Sequence, residues 1–418
     1  MKRSKQKLSK SKLAAAVAAV ALGASAVSFA DGHGQQGNTL SDAITGGDVK
    51  LSFRYRYEDV DDDARPEEAH ASTLKSRLTY TTKKYNDWQA QIEVDDVTVI
   101  GGENYDDLHG TNTDHAVVAD PEGTALNQAW IAYSGFSDTT IKYGRQRINL
   151  DNQRFVGGVG WRQNEQTYDG VTIVNTSLPD TTFVYAHVDN VNRIFGPDEG
   201  RAGTPAADVK LESNANIFNV GYKGLGIGTL SGYLYLLDVE DAAAISSKTY
   251  GVRLDGSQGD KTKFLYTLEY ATQSDYADNP ASYDADYYTV ELGIQAAGVT
   301  AKVGQEVLES DDGVSFSTPL ATLHKFQGFA DKFLVTPANG IEDSYVSVFT
   351  NVFGTKVGVI YHDFDAEDGN MNYGDEVDVV IAKQLNKNVG LMVKYASYDA
   401  DDFSTDTDKL WLQVQVDF

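Results

Sequence analysis

KLWLQVQVDF, residues 409–418, decides the fold. Leu410, Leu412, Val414, Val416 and Phe418 share one parity, and Trp411, Gln413, Gln415 and Asp417 the other. An extended chain turns successive side chains to opposite faces, so one face of this strand is apolar and the other mostly polar. The same period of two runs through VKLSFRYRYE (49–58), LKSRLTYTTK (74–83), KFLYTLEYAT (263–272) and VGLMVKYASY (389–398). About eighteen such stretches follow one another, and no long amphipathic helix is read.

The connections between them alternate in length. KKYND, SGFSD, NTSLPD, KGLGIG, GSQGD, AAG, FG and LNKN are short. EDVDDDARPEEAHAS, the region from Thr98 to Gly123, the region from Glu309 to Asp343, and FDAEDGNMNYG are long and mostly acidic. Long loops on one rim and tight turns on the other describe an all-β, transmembrane, antiparallel up-and-down β-barrel with short periplasmic turns and long acidic external loops. A sheet facing lipid has to close, because unpaired edge groups find no partner there. A soluble secreted sandwich or adhesin gives no reason for the alternation.

The N-terminus agrees. MKRSKQKLSKSK is cationic, LAAAVAAVAL is apolar, and GASAVSFA ends in small residues. An apolar core of about ten residues falls short of the about 20 needed to span a bilayer, so residues 1–30 are expected to be a secretory signal peptide. Residues 31–46 then form a periplasmic segment and 47–418 the barrel. Cleavage removes six cations and no acids, taking the net charge from −26 to −32. Such acidity argues against nucleic acid as a partner. The absence of cysteine excludes disulfides and thiolate chemistry.

Val49, Leu51, Phe53, Tyr55 and Tyr57 are expected to face lipid, with Tyr57, Tyr80, Tyr270, Tyr361 and Tyr395 forming an aromatic girdle. The opposite parity carries Arg54, Arg56, Lys75, Arg77, Arg253, Lys263, Lys302 and Lys394 against Glu93, Asp95, Glu269, Glu291 and Glu306. A barrel this wide leaves an aqueous channel unless a loop folds in. The wall of that channel is mixed, with a basic surplus.

One external connection stands out. YGRQRINLDNQRFVGGVGWRQNEQTYDG (143–170) holds Arg145, Arg147, Arg154 and Arg162. Gly157, Gly158 and Gly160 let the loop bend sharply, and Phe155 and Trp161 offer apolar anchors. Folded into the lumen, it would bring Arg154 and Arg162 to the pore, where a guanidinium fork recognises carboxylates. The alternative is that these arginines pair with Asp151, Glu165 and wall carboxylates and simply pin the loop. Because Tyr143, Arg145 and Arg147 share a parity, a lipid-facing Tyr143 requires a bulge or a strand end near Gly144.

GRQRINLDNQRFVGGVGWRQNEQTYDG, together with ATLHKFQGFADKFLVTPANGIEDSY (321–345), resembles the alginate-export family of proteobacterial outer-membrane porins. The resemblance implies a monomeric barrel of about eighteen strands and an arginine-bearing pore suited to anionic saccharides.

Other chemistry is weaker. In DFDAEDGNMNYGDE, Glu367 follows Asp363 and Asp365, but Gly369 falls one residue late for a calcium loop, so the acidic loops read as solvated. Ion bridging to lipopolysaccharide phosphate is the secondary reading. His187 and His362 are placed on inward parities, and HKFQGFADKF (324–333) reads as a packed plug loop or an aromatic track for sugar rings. No nucleophile elbow or Ser and His pair is evident, and no cofactor is implied.

The expectation is a Gram-negative outer-membrane porin, not an enzyme, passing small hydrophilic anionic or saccharide solutes by passive diffusion. A dedicated exporter of an anionic polysaccharide such as alginate is the runner-up, and a barrel-embedded enzyme is the rival of another class. Arg54, Arg56, Lys75, Arg77, Arg145, Arg147, Arg154, Arg162, Arg253, Lys302 and Lys394 are expected to line the pore, with Phe155, Trp161, Asp151 and Glu165 anchoring the loop. Expected partners are membrane lipid, lipopolysaccharide, small hydrophilic solutes, and the barrel-assembly machinery through the strand ending in Phe418.

Overall fold

The computed structural model describes residues 39–418, so the expected signal peptide lies outside the described residues. The chain forms strands β1 (Asp48–Asp62), β2 (Ala69–Thr81), β3 (Trp88–Val99), β4 (Gly123–Phe136), β5 (Thr139–Gln146), β6 (Thr167–Asn175), β7 (Thr181–Asn192), β8 (Lys210–Tyr222), β9 (Thr229–Leu237) and β10 (Ser247–Gln258). It continues through β11 (Thr262–Asp275), β12 (Asp284–Ala296), β13 (Val299–Leu308), a small hairpin of β14 (Ser310–Asp311) and β15 (Val314–Ser315), β16 (Ile341–Val352), β17 (Thr355–Asp365), β18 (Asn372–Gln384), β19 (Val389–Ala400) and β20 (Thr407–Asp417). All but the small hairpin belong to one 18-stranded sheet.

Each barrel strand pairs antiparallel with the next, and β1 pairs with β20 from Ser52 opposite Asp417 to Asp62 opposite Thr407, closing the cylinder. The Phe418 amide donates to the Leu51 carbonyl at 2.8 Å, extending the seam to the last residue. Two-residue turns at Ala297-Gly298 and Phe353-Gly354 place both residues at positive φ, matching the right-handed twist of the strands they join. A short helix, α1 (Leu40–Thr45), capped by Thr39 on the Asp42 amide, precedes β1.

Alternation holds across the sheet. Leu292, Val303, Val346 and Tyr361 occupy one register row on four neighbouring strands and are all exposed on the outer surface. The outward tyrosines reach rim carboxylates: Tyr57 donates to Asp59 at 3.0 Å, and Tyr270 to Asp286 and Tyr395 to Asp408 at 2.6 Å. Aromatic bodies in lipid with hydroxyls at a polar rim suit a membrane interface.

The long connections are shorter than their sequence implies in two places. EDVDDDARPEEAHAS is largely strand, leaving residues 63–68 between β1 and β2, and FDAEDGNMNYG narrows to 366–371. Beyond the apolar band both faces of a strand are polar, so hydrophobic alternation fades while backbone pairing continues. L3 (147–166) and L7 (309–340) run inward, and their apolar side chains form the main buried cluster against the lumenal wall.

Because the outer row meets hydrocarbon, Leu292→Arg is expected to destabilise the barrel by about 2–4 kcal/mol in a bilayer. Urea unfolding in lipid vesicles measures it.

Candidate functional site

L3 leaves the wall where β5, the shortest barrel strand, ends at Gln146. Asp151, Gln153 and Val159 lie at positive φ, so the loop is tightly coiled despite three non-glycine residues there. Gly157 is required sterically, since a Cβ at that position would collide with Oγ1 of Thr322 in L7. The two loops meet as backbone partners: Gly157 N donates to Leu320 O at 2.9 Å, and Thr322 N to Gln153 O at 3.0 Å.

One side of L3 is apolar. Phe155 is surrounded by Tyr233, Tyr235, Tyr287 and Phe316, with ring centroids 5.1–6.0 Å away. The other side is charged. Arg54 reaches from β1 to the Gly160 carbonyl at 2.8 Å, to Gln163 Oε1 at 2.9 Å, and to the Arg162 carbonyl. Glu165 receives Arg147 at 2.5 Å, Arg77 at 2.8 Å and Lys75 at 3.6 Å. Burial alone would raise the Glu165 carboxyl, but these three cations hold it well below the usual carboxylate range.

Arg154 and Arg162 bind wall and loop carboxylates. Arg154 donates to Glu306 at 2.9 Å and Thr318 at 3.1 Å, and Arg162 to Glu58 at 3.2 Å and Asp331 at 2.9 Å. They are only 1% and 7% exposed, so they serve as clamps and do not line an open filter. Burial opposes the Arg162 charge, but Glu58, Asp120 and Asp331 together raise it above the ordinary guanidinium value.

Trp161 joins the two loops. It stacks on His324 of L7 at 4.2 Å with planes 7° apart, and Arg56 lies 4.0 Å over its ring. His324 Nδ1 is 2.7 Å from Asp331 Oδ1, and Lys394 Nζ is 2.7 Å from His324 Nε2. Burial pushes the His324 imidazole well below its usual range, which leaves Nε2 free to accept from the lysine. HKFQGFADKF is therefore a packed loop, with Phe333 buried among Phe364, Tyr373, Tyr398 and Phe403.

Beneath L3 and L7 lies a cavity of about 1080 Å³ that extends to the short-turn rim at Gly298 and Lys356. Arg253, Lys302 and Lys325 line it, together with Asp255, Glu291 and Phe326. Arg253 pairs with Glu269 at 2.6 Å and Lys302 with Glu291 at 2.8 Å. Lys325, from L7, donates instead to the Asn152 carbonyl at 2.9 Å. Burial lowers its ammonium below the usual amine range, and the nearby Arg253 and Lys302 lower it further.

The structure corrects several expectations. Arg145 keeps the outward parity of Tyr143, which is 64% exposed, and pairs with Asp169 at 2.7 Å on the outer side of the wall. The direction flips only after Gln146, so Arg147 alone of the two enters the lumen, next to Glu93 and Glu165. His187 lies on the outer parity of Phe183 and Tyr185, while Ala186 and Val188 are buried in the lumenal cluster. Asp151 accepts from Asn219 at 2.6 Å and Ser231 at 2.7 Å and pairs with none of the loop arginines. Glu58, Asp331 and Lys325 escaped the sequence reading as site residues, whereas Glu306 was placed on the inward wall without its arginine partner. Glu58 shares the inward parity of Arg54 and Arg56 and was available to it; the loop residues carry no periodic signal.

The family model described as "Alginate export" matches residues 47–302. Solved structures share the fold across nearly the whole barrel. Acinetobacter baumannii OccAB4 superposes with a TM-score of 0.70 at 14% identity, covering 88% of this chain and 98% of that one. Pseudomonas aeruginosa OccK8 (OprE) gives 0.69 at 16%, covering 90% and 99%. Pseudomonas aeruginosa OpdK, solved with vanillate, gives 0.69 at 13%, covering 88% and 98%. No curated protein is significantly similar in sequence.

Glu165→Gln strips buried Lys75 of its carboxylate and weakens the hold on half-buried Arg77 and Arg147, and is expected to destabilise the lumenal seat of L3 by about 3–5 kcal/mol. Faster proteolysis within residues 147–166 of the otherwise folded barrel reports it.

Proposed function

Since the chain belongs to the alginate-export family, we propose that this barrel is a Gram-negative outer-membrane porin admitting small hydrophilic anions, saccharide acids among them, by passive diffusion. The cavity beneath the crossed loops carries this reading. Its polar wall holds Arg253, Lys302 and Lys325 close beneath the loops, and among the described residues Lys325 has no carboxylate at hydrogen-bonding distance. An anion entering there relieves the mutual repulsion of Lys325, Arg253 and Lys302. Vanillate, named with OpdK, is itself a carboxylate.

L3 and L7 are joined to each other and to the wall by backbone hydrogen bonds and buried ion pairs, which argues against threading a polymer through the lumen. An enzyme reading draws no support from the two buried histidines, because His324 is bonded to Asp331 and Lys394, and His362 to Asp343. Phe418, 67% exposed at the end of the closing strand, suits recognition by the assembly machinery. The outward tyrosine and carboxylate rim suits contact with lipopolysaccharide. A monomer fits a channel whose loops fill their own lumen.

Planar-bilayer recording under a salt gradient tests the reading. The wild type is expected to favour anions, and Lys302→Glu with Lys325→Glu to lower the anion-to-cation permeability ratio severalfold. Cation preference in the wild type would overturn the assignment.

A further inference from the structure

β18 carries Glu376 and Asp378 two residues apart on its lumenal face, and both side chains are fully buried beneath L7. Each gives one oxygen to the loop. Glu376 Oε1 accepts from the Ala330 amide at 2.8 Å, and Asp378 Oδ2 from the Phe329 amide at 3.2 Å. The other oxygens, Glu376 Oε2 and Asp378 Oδ1, are buried and have no hydrogen-bond partner among the described residues. The loop is shaped to this pair: Gln327 and Gly328 both lie at positive φ, and a Cβ on Gly328 would collide with the Glu376 carboxyl.

Except for His362, whose ring reaches Asp378, the surrounding charges are committed elsewhere. From β17, His362 gives Nδ1 to Asp343 at 2.8 Å and keeps Nε2 3.8 Å from Asp378. From β19, Lys394 bonds His324, and the Tyr398 hydroxyl donates to the Tyr373 and Phe403 carbonyls. From L7, Lys332 bonds Asp62 at 3.2 Å, and Asp331 is shared by His324, Arg162 and Lys409. Two ionised carboxylates side by side on one strand face and shut off from solvent repel, whereas one proton between them makes a charge-assisted hydrogen bond.

We infer that Glu376 and Asp378 share a single proton, and that this proton fastens L7 in the lumen so that channel opening is proton-linked. The inference rests on the porin reading, with L7 as the movable element. With the proton in place, the pair presents one negative charge to two loop amides. As pH rises and the proton leaves, two buried anions face each other, and lifting L7 admits the water that separates them.

The test reads channel opening and loop release side by side, as open probability in bilayers and trypsin cleavage at Lys325 and Lys332 of the detergent-folded barrel, each from acid to alkaline pH. Cleavage is normalised to a denatured control. The wild-type open-to-closed ratio is expected to rise with pH by up to about tenfold per unit, the limit for one linked proton. In E376Q the amide replaces the shared proton with a permanent donor, and D378N does the same from the other side, so both are expected to flatten the response. A flat wild-type response, or a slope that survives in both variants, overturns the inference. So does a slope removed by H362Q alone, which would assign the proton to His362, or release of L7 by a chelator, which would assign the site to a metal ion. A channel silent at every pH refutes the porin reading, and the cleavage profile still decides the latch.

Discussion

The ion lattice around Glu165 is the interaction on which the lumen depends. It draws cations from β2, through Lys75 and Arg77, and from the root of L3, through Arg147, onto a single carboxylate near the loop's end. Closing both ends of L3 against the same patch of wall fixes the loop inside the barrel. L7 then has a surface to lie on, through the Gly157 to Leu320 bond and the Trp161 stack on His324, and the cavity has its roof. Buried charge of this kind adds little net stability over apolar packing, but it punishes displacement, because a moved loop strands its partners. Position, more than stability, is what these pairs secure.

L3 is in effect amphipathic across its width. Phe155 meets a tyrosine-rich wall on β9 and β12, while Arg162 and Glu165 meet the charged wall of β1 and β2. Two unlike walls facing one loop determine which way it lies. This division also sorts the arginines. Those on strands near L3, such as Arg54 and Arg77, hold the loop, whereas Arg253 and Lys302, farther round the barrel, remain beside open space.

The barrel was legible in the sequence because membrane strands must alternate along their length and must close. Strand number and the need for the sheet to close followed from parity and loop length. Partners were not legible. Arg154 reaches Glu306, 152 residues away, and Arg162 reaches Asp331, 169 residues away, and no local pattern announces either pairing. Parity also misled where strands end. Arg145 and Arg147 look equivalent in sequence, yet one lies outside and one inside, because the chain stops being a strand between them.

The acidity of the chain and a cavity whose lining balances five cations against five carboxylates are compatible once each charge is placed. Asp59, Asp286 and Asp408 at the rim are bonded by outward tyrosines, and their fields decay over about 8–10 Å in physiological salt. Within the lumen, Glu58, Glu93, Glu165 and Glu306 are spent on arginines that hold L3. Subtracting these pairs leaves Lys325 over a cavity in which Arg253 and Lys302 already have counter-ions. The potential a solute meets is therefore governed by the few charges left without a close partner in a confined, poorly screened space, and the net charge of the chain has little bearing on it.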